Sequence, residues 1–225
     1  MQTNSTGGSY ITGHYETIGY PGFTGVTPSD RVVYAGYSTS SVSENVSFGD
    51  TGVYGSIDNL FSAIYHRFGF LDPKNDEIGI GISGDALHYT YNMGNSVLSS
   101  VCLEDENFTS GTYYLPCADT SKKVAESVYL GAFDSRRALS PALIIWPTEN
   151  GEDIPPVFYE ESPDPLPSNS VSGYPVSVEF NSLVNRVPLK LLAPVNSISM
   201  LFVFRSFCRL IFEAPSAENS SILFI

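Results

Sequence analysis

Cationic side chains are scarce in this chain: 11 Lys and Arg stand against 24 Asp and Glu, a net charge of −13 over 225 residues. A nucleic-acid backbone or an anionic membrane is held by clustered cations, and no such cluster occurs, so the composition argues against both partners. Cysteine is nearly absent as well, and three thiols, Cys102, Cys117 and Cys208, exclude a disulfide-dense scaffold. Cys102 and Cys117 flank the loop-like stretch "CLEDENFTSGTYYLPC". They either bridge in an oxidising compartment, closing a loop worth roughly 3 kcal/mol, or remain two buried thiols. No apolar run reaches the ~20 residues of a membrane-spanning helix, because Arg205 and Arg209 interrupt "SISMLFVF" too early. "MQTNSTGGSY" lacks the basic start and apolar stretch of a signal peptide. Also missing are an HExxH pair, a Gly-x-Ser-x-Gly elbow and a Cys with a matched His, which removes the commonest hydrolase signatures.

What is present suits a globular chain with one large domain, alone or with a smaller module: apolar residues make up 42 %. Residues 1–26 read as loop, with turn signals at Gly19, Pro21, Gly22 and Gly25. "TPSDRVVYAGY" predicts a short helix. Thr27 is placed to cap it, Pro28 fits the first helical position, Asp30 suits the positive end and Gly36 terminates it, with Val32, Val33 and Tyr34 as candidates for the core. A second helix is predicted in "SIDNLFSAIYHRFGFLDPKNDEIGIG", capped by Ser56, with Ile57, Leu60, Phe61 and Ile64 at helical spacing and His66 in its last turn. Beyond it the period changes. "EIGIGISG" and "ALHYTYNMG" read as paired strands, and "ESVYLGAF" and "ALIIWP" as further short strands. Helices first and strands after predict an α+β layered domain rather than alternating βαβ units.

Seven prolines then fall between Pro147 and Pro175, amid acidic residues, which marks an extended linker or the loop-rich entry to another module. "YPVSVEF" alternates like a strand that opens a small β-sandwich. Residues 185–225 carry four cations and two anions and lose their Gly and Tyr. They read as a frame-shifted or truncated terminus, with a buried strand pair as the alternative.

Four segments carry a resemblance to a known family: "GHYE" at 13–16, "GFTGVTPSDRVVYAGY" at 22–37, "SENVS" at 43–47 and "HRFGFLDPKNDEIGIG" at 66–81. In order and spacing they resemble the bacterial, SCP-like branch of the CAP superfamily, which groups cysteine-rich secretory proteins, antigen 5 and pathogenesis-related 1 proteins. The resemblance spans roughly residues 1–95 and implies an α-β-α sandwich whose open cleft is lined by two histidines and one or two glutamates. By matching flanks, His14 is the first cleft histidine, Glu44 the glutamate of the Gly-Glu-Asn motif, with Ser43 in place of the glycine, and His66 the second histidine. It also implies a metal site of His14, His66 and Glu44, with Zn²⁺ as the cofactor. Glu44 would be the general base if the cleft hydrolyses its ligand. The family begins with a long helix ahead of its first histidine, so the first helix is expected to be missing here.

The expected organisation is therefore a CAP domain over 1–146, a Pro-rich acidic linker over 147–175 and a partial, immunoglobulin-like β module or aberrant tail over 176–225. The expected function is an extracellular binding or interaction module, secreted or at the cell surface in the full-length protein. Its partner would be a cell-wall, lipid or protein ligand, with a metal-dependent hydrolase as the alternative.

Overall fold

The computed structural model of the chain describes residues 13–49, 52–84, 86–158 and 170–181, together with the backbone of 202–205. It is an α+β structure that divides into two compact units, the first comprising Met1–Leu60 and Asp72–Leu139 and the second Phe61–Leu71 and Ser140–Ile225. No helix among the described residues is long and apolar enough to cross a membrane.

In the first unit the chain turns at Gly19 and Gly22, both at positive φ, and enters helix α1, Pro28–Tyr34. Thr27 and Asp30 form a reciprocal capping box, and Gly36, at φ +94°, ends the helix as its sequence predicts. The buried residue of α1 is Arg31, not the expected apolar ones, and Tyr34 is 73 % exposed. Strand β1, Ser43–Phe48, follows in a Ser-rich stretch that carries no strand signal of its own. It is extended because β3, His88–Gly94, pairs with it antiparallel, Glu44 opposite Asn92. Strand β2, Glu77–Ile82, lies on the other side of β3, so the sheet order is β1-β3-β2, and the predicted pairing of the last two strands is present.

Tyr89, Tyr91 and Met93 of β3 are buried on one face. Tyr91 donates its hydroxyl to Ser56 Oγ at 2.9 Å, and Ser56 shares a 2.5 Å bond with Ser47. Ser56 is thus a buried residue inside helix α2, Val53–Ser62, and not the cap expected of it. Helix α4, Ser96–Leu103, is capped by Asn95, whose side chain accepts from the Leu98 amide and donates to the carbonyls of Lys74 and Ala132. A disulfide joins Cys102 to Cys117. A short ladder of β4, Tyr113–Tyr114, with β5, Val124–Ala125, precedes helix α5, Glu126–Arg137. "ESVYLGAF" is therefore helical, not a strand. Glu126 in the first turn and Arg136 and Arg137 in the last complement the helix dipole, and Ala132 is buried.

In the second unit helix α3, Ile64–Leu71, holds His66 in its first turn, where a last turn was expected. The break after α2 has a visible cause: the Phe61 carbonyl accepts from Arg67 Nε at 2.6 Å and from Tyr174 Oη at 3.2 Å, and the Arg67 amide bonds the Ala63 carbonyl to open the new helix. Arg67 is fully buried, donates to Pro175 O and Ser177 Oγ, and lies over the Tyr174 ring. Strand β6, Leu143–Trp146, pairs antiparallel with β9, Val176–Phe180, as two of the predicted strands. Between them lies more than a linker, since β7, Val157–Phe158, pairs with β8, Ser172–Gly173. Of residues 185–225 only β10, Phe202–Arg205, is described; it pairs parallel with β9, and the rest of that expectation lies outside the described residues.

Candidate functional site

The loop that opens the described chain is fixed to α1. Glu16 N bonds Val26 O at 3.0 Å, and Gly25 sits so close to Asp30 that a Cβ there would collide with its side chain and backbone. This brings His14 and Glu16 against the N-terminal half of α1, where Arg31 points inward. Arg31 Nη2 donates to both oxygens of Glu44 at 2.8 Å, while Nη1 donates to the His14 carbonyl at 2.9 Å. Arg31 Nε lies 3.9 Å from Glu16 Oε1. Glu16 Oε2 accepts from the Thr24 amide at 2.8 Å. Burial opposes ionisation of Glu16, the Thr24 amide and the Arg31 charge favour it, and the net direction of its pKa is downward.

Glu44 stands on β1 with its side chain 1 % exposed, and its Oε1 lies 3.0 Å from His14 Nδ1. A carboxylate is an acceptor only, so Nδ1 carries the proton in this contact. The neutral His14 ring then keeps its lone pair on Nε2. The His14 side chain is 43 % exposed, so the ring reaches solvent while its carboxylate partner does not. The chemistry available is that of an imidazole held in one tautomer by a buried Glu–Arg pair, the same support that orients metal-binding and acid–base histidines elsewhere.

The structure brings two of the three sequence-predicted residues together. His14 and Glu44 are hydrogen-bonded, and His66 belongs to α3 in the second unit. Ser43 is extended at the start of β1 and absent from the positive-φ residues, so the position that is usually glycine makes no demand for one here. His88 is the first residue of β3, its ring 5.5 Å from that of Phe48. Sequence reasoning missed Arg31 and Glu16. Both lie in quoted segments, but nothing local distinguishes a buried arginine from a surface one when its partners are distant in sequence.

Comparison of the chain with protein-family models, with curated proteins and with solved structures finds no match. Among the described residues no group of three or more His, Cys, Asp or Glu side chains is arranged to hold a metal ion. Within the first unit the arrangement offers one free imidazole nitrogen, and Glu44 has both oxygens engaged. This falls short of the three or four protein ligands of a zinc site. A cavity of about 300 Å³ in the same unit is lined by Val101, Glu106, Phe108, Lys122 and Val128, and it includes neither His14 nor Glu44.

Proposed function

We propose that the chain is an extracellular CAP-type binding module, a domain of α-β-α sandwich type that holds a cell-wall ligand through the exposed Nε2 of His14. The single observation that carries this reading is the engagement of Glu44. A general base must be free to take a proton, but this carboxylate is buried, bidentate to Arg31 and bonded to His14. It is suited to holding His14 still, so Glu44 is not itself the base that the hydrolase reading needs. The loop that carries His14 also exposes Tyr15, Ile18 and Tyr20, by 54 %, 73 % and 51 %. Rigid amphipathic rings beside a fixed hydrogen-bonding group are the usual makings of a recognition surface. The Cys102–Cys117 bond supports export, because disulfides persist in oxidising compartments.

Co-sedimentation with purified cell-wall sacculi tests the reading. The wild-type chain should pellet with them and release no soluble fragments, and His14→Ala should stay in the supernatant. Soluble fragments released by the wild type and lost in Glu44→Gln would make the protein a hydrolase. Pelleting unchanged by His14→Ala would remove His14 from the contact.

A further inference from the structure

The stretch closed by the Cys102–Cys117 disulfide folds back onto the chain that follows it, and together they wall the cavity of about 300 Å³. Asn107 Oδ1 accepts from the Lys123 amide at 2.9 Å, the Phe108 amide donates to the Lys123 carbonyl at 3.0 Å, and β4 is laddered to β5. Gly111, at φ +92°, lies against the Phe108 ring, where a Cβ would come within 3.2 Å of Cζ. The wall is held in place from several sides.

Its lining is sorted by burial and charge. The buried members are Val124 and Lys122, and Lys122 is only 8 % exposed. Lys122 Nζ donates to the Glu104 carbonyl, and no carboxylate pairs with it among the described residues; Asp119, bonded to Ser121, is a nearby charge. An ammonium has three donors, and a buried cation is costly unless donors and charge are both matched. The Glu104 carbonyl uses one donor. Lys123, the other cation of the lining, lies over the Tyr113 ring at 4.7 Å. Glu104 and Glu106 are exposed members, and neither carboxylate bonds a protein group among the described residues. Most of the remaining wall is apolar, with Val101 of α4, Phe108 and Val128 of α5.

We propose that this cavity is a binding site for a free α-amino acid with an apolar side chain. Such a ligand carries an anion, a cation and an apolar group on one carbon, and the lining offers a complement to each. The carboxylate takes the open donors of Lys122, the ammonium meets Glu104 and Glu106 at the exposed side, and the side chain rests on Val101, Phe108 and Val128. A simple anion is repelled by the two carboxylates, and a simple cation by Lys122. Size agrees as well, since about 300 Å³ stands at the small end of ligand sites, which run to about 1,000 Å³. It suits one residue and not a polymer. Lys122 also complements the C-terminal end of α4, whose cap is Glu104, and the test separates that role from binding. The site shares no residue with the His14 surface and does not depend on what that surface holds.

Calorimetric titration of the full 225-residue chain with L-phenylalanine tests this. The expected dissociation constant is on the order of 0.1 mM. Hydrocinnamate, which lacks the ammonium, and phenethylamine, which lacks the carboxylate, should each bind about tenfold more weakly or worse. The double variant Glu104→Gln, Glu106→Gln should weaken phenylalanine several-fold and tighten hydrocinnamate, because the repulsion of its carboxylate is gone. Lys122→Met keeps the apolar stem and should lose about tenfold or more in phenylalanine affinity, with far-UV circular dichroism to check the fold. Where that variant fails to fold, the exposed glutamates and the ligand series still decide. No binding at about 10 mM phenylalanine would overturn the proposal, as would hydrocinnamate or phenethylamine binding as tightly as phenylalanine. So would wild-type phenylalanine affinity in the double variant or in a folded Lys122→Met, which would leave Lys122 as a helix cap alone.

Discussion

Replacing Arg31 by Met keeps much of the side-chain volume and removes one charge, and its cost follows from what is left behind. Glu44 and Glu16 have side chains 1 % and 2 % exposed, and both face the vacated guanidinium. Breaking a buried ion pair from one side costs about 3–5 kcal/mol, because an uncompensated charge stays in a poorly solvated place. The carbonyls of His14 and Val26 lose a donor as well. At 2–4 °C per kcal/mol for a chain of this size, Arg31→Met should lower the midpoint of thermal unfolding by about 10 °C. Arg31→Met combined with Glu44→Gln should recover a large part of that loss, since the stranded charge is gone. Circular dichroism melts of the four proteins in this cycle measure it. A single variant within about 1 kcal/mol of wild type, or a double variant no better than the sum of its parts, would refute the claim that Arg31 and Glu44 form one buried unit.

Tyr37 should make the protein sensitive to alkali. Burial first, and its 2.6 Å bond to Glu77 second, push the Tyr37 pKa above its ordinary value near 10. The neutral phenol is thus favoured in the folded state, and its contribution is complete below about pH 10 and lost as pH rises beyond that value. Urea midpoints across this range should fall for wild type and fall less for Tyr37→Phe. Gly94→Ala should destabilise by about 1–3 kcal/mol, because a Cβ there would overlap the Tyr37 hydroxyl and ring, and chemical denaturation reads the loss. Thr27→Ala removes one half of the α1 capping box and should cost about 1 kcal/mol in the same assay. Reduction of Cys102–Cys117 frees a loop with a sequence separation of 15 and should cost about 3 kcal/mol, seen as an earlier melt under dithiothreitol.

Features set by neighbours in sequence were legible before the structure. Thr27, Pro28, Asp30 and Gly36 delimit α1 by capping and turn chemistry alone, and the alternation in "EIGIGI" and "HYTYNMG" gives β2 and β3 directly. Features set by distant partners were not. β1 is Ser-rich and becomes a strand because β3 supplies its ladder. "ESVYLGAF" has the Val, Tyr and Phe of a strand, yet it is held as a helix by charges at both ends and by packing at Ala132. The break before α3 depends on Arg67 and Tyr174, the latter more than a hundred residues away. The site divides the same way. His14 and Glu44 were read from a resemblance in flanking residues, while Arg31 emerged only when the fold closed two carboxylates around it.

The central claim is that Glu44 fixes His14 as the Nδ1–H tautomer with Nε2 open to a ligand, and nitrogen chemical shifts of the imidazole test it most directly. In ¹⁵N-labelled protein at about pH 8, long-range ¹H–¹⁵N correlation should show a protonated Nδ1 and a bare Nε2 for His14. Glu44→Gln should relax that preference, and added Zn²⁺ should shift Nε2 alone. A His14 ring protonated on Nε2 in the wild type, or a tautomer unchanged by Glu44→Gln, would contradict the account.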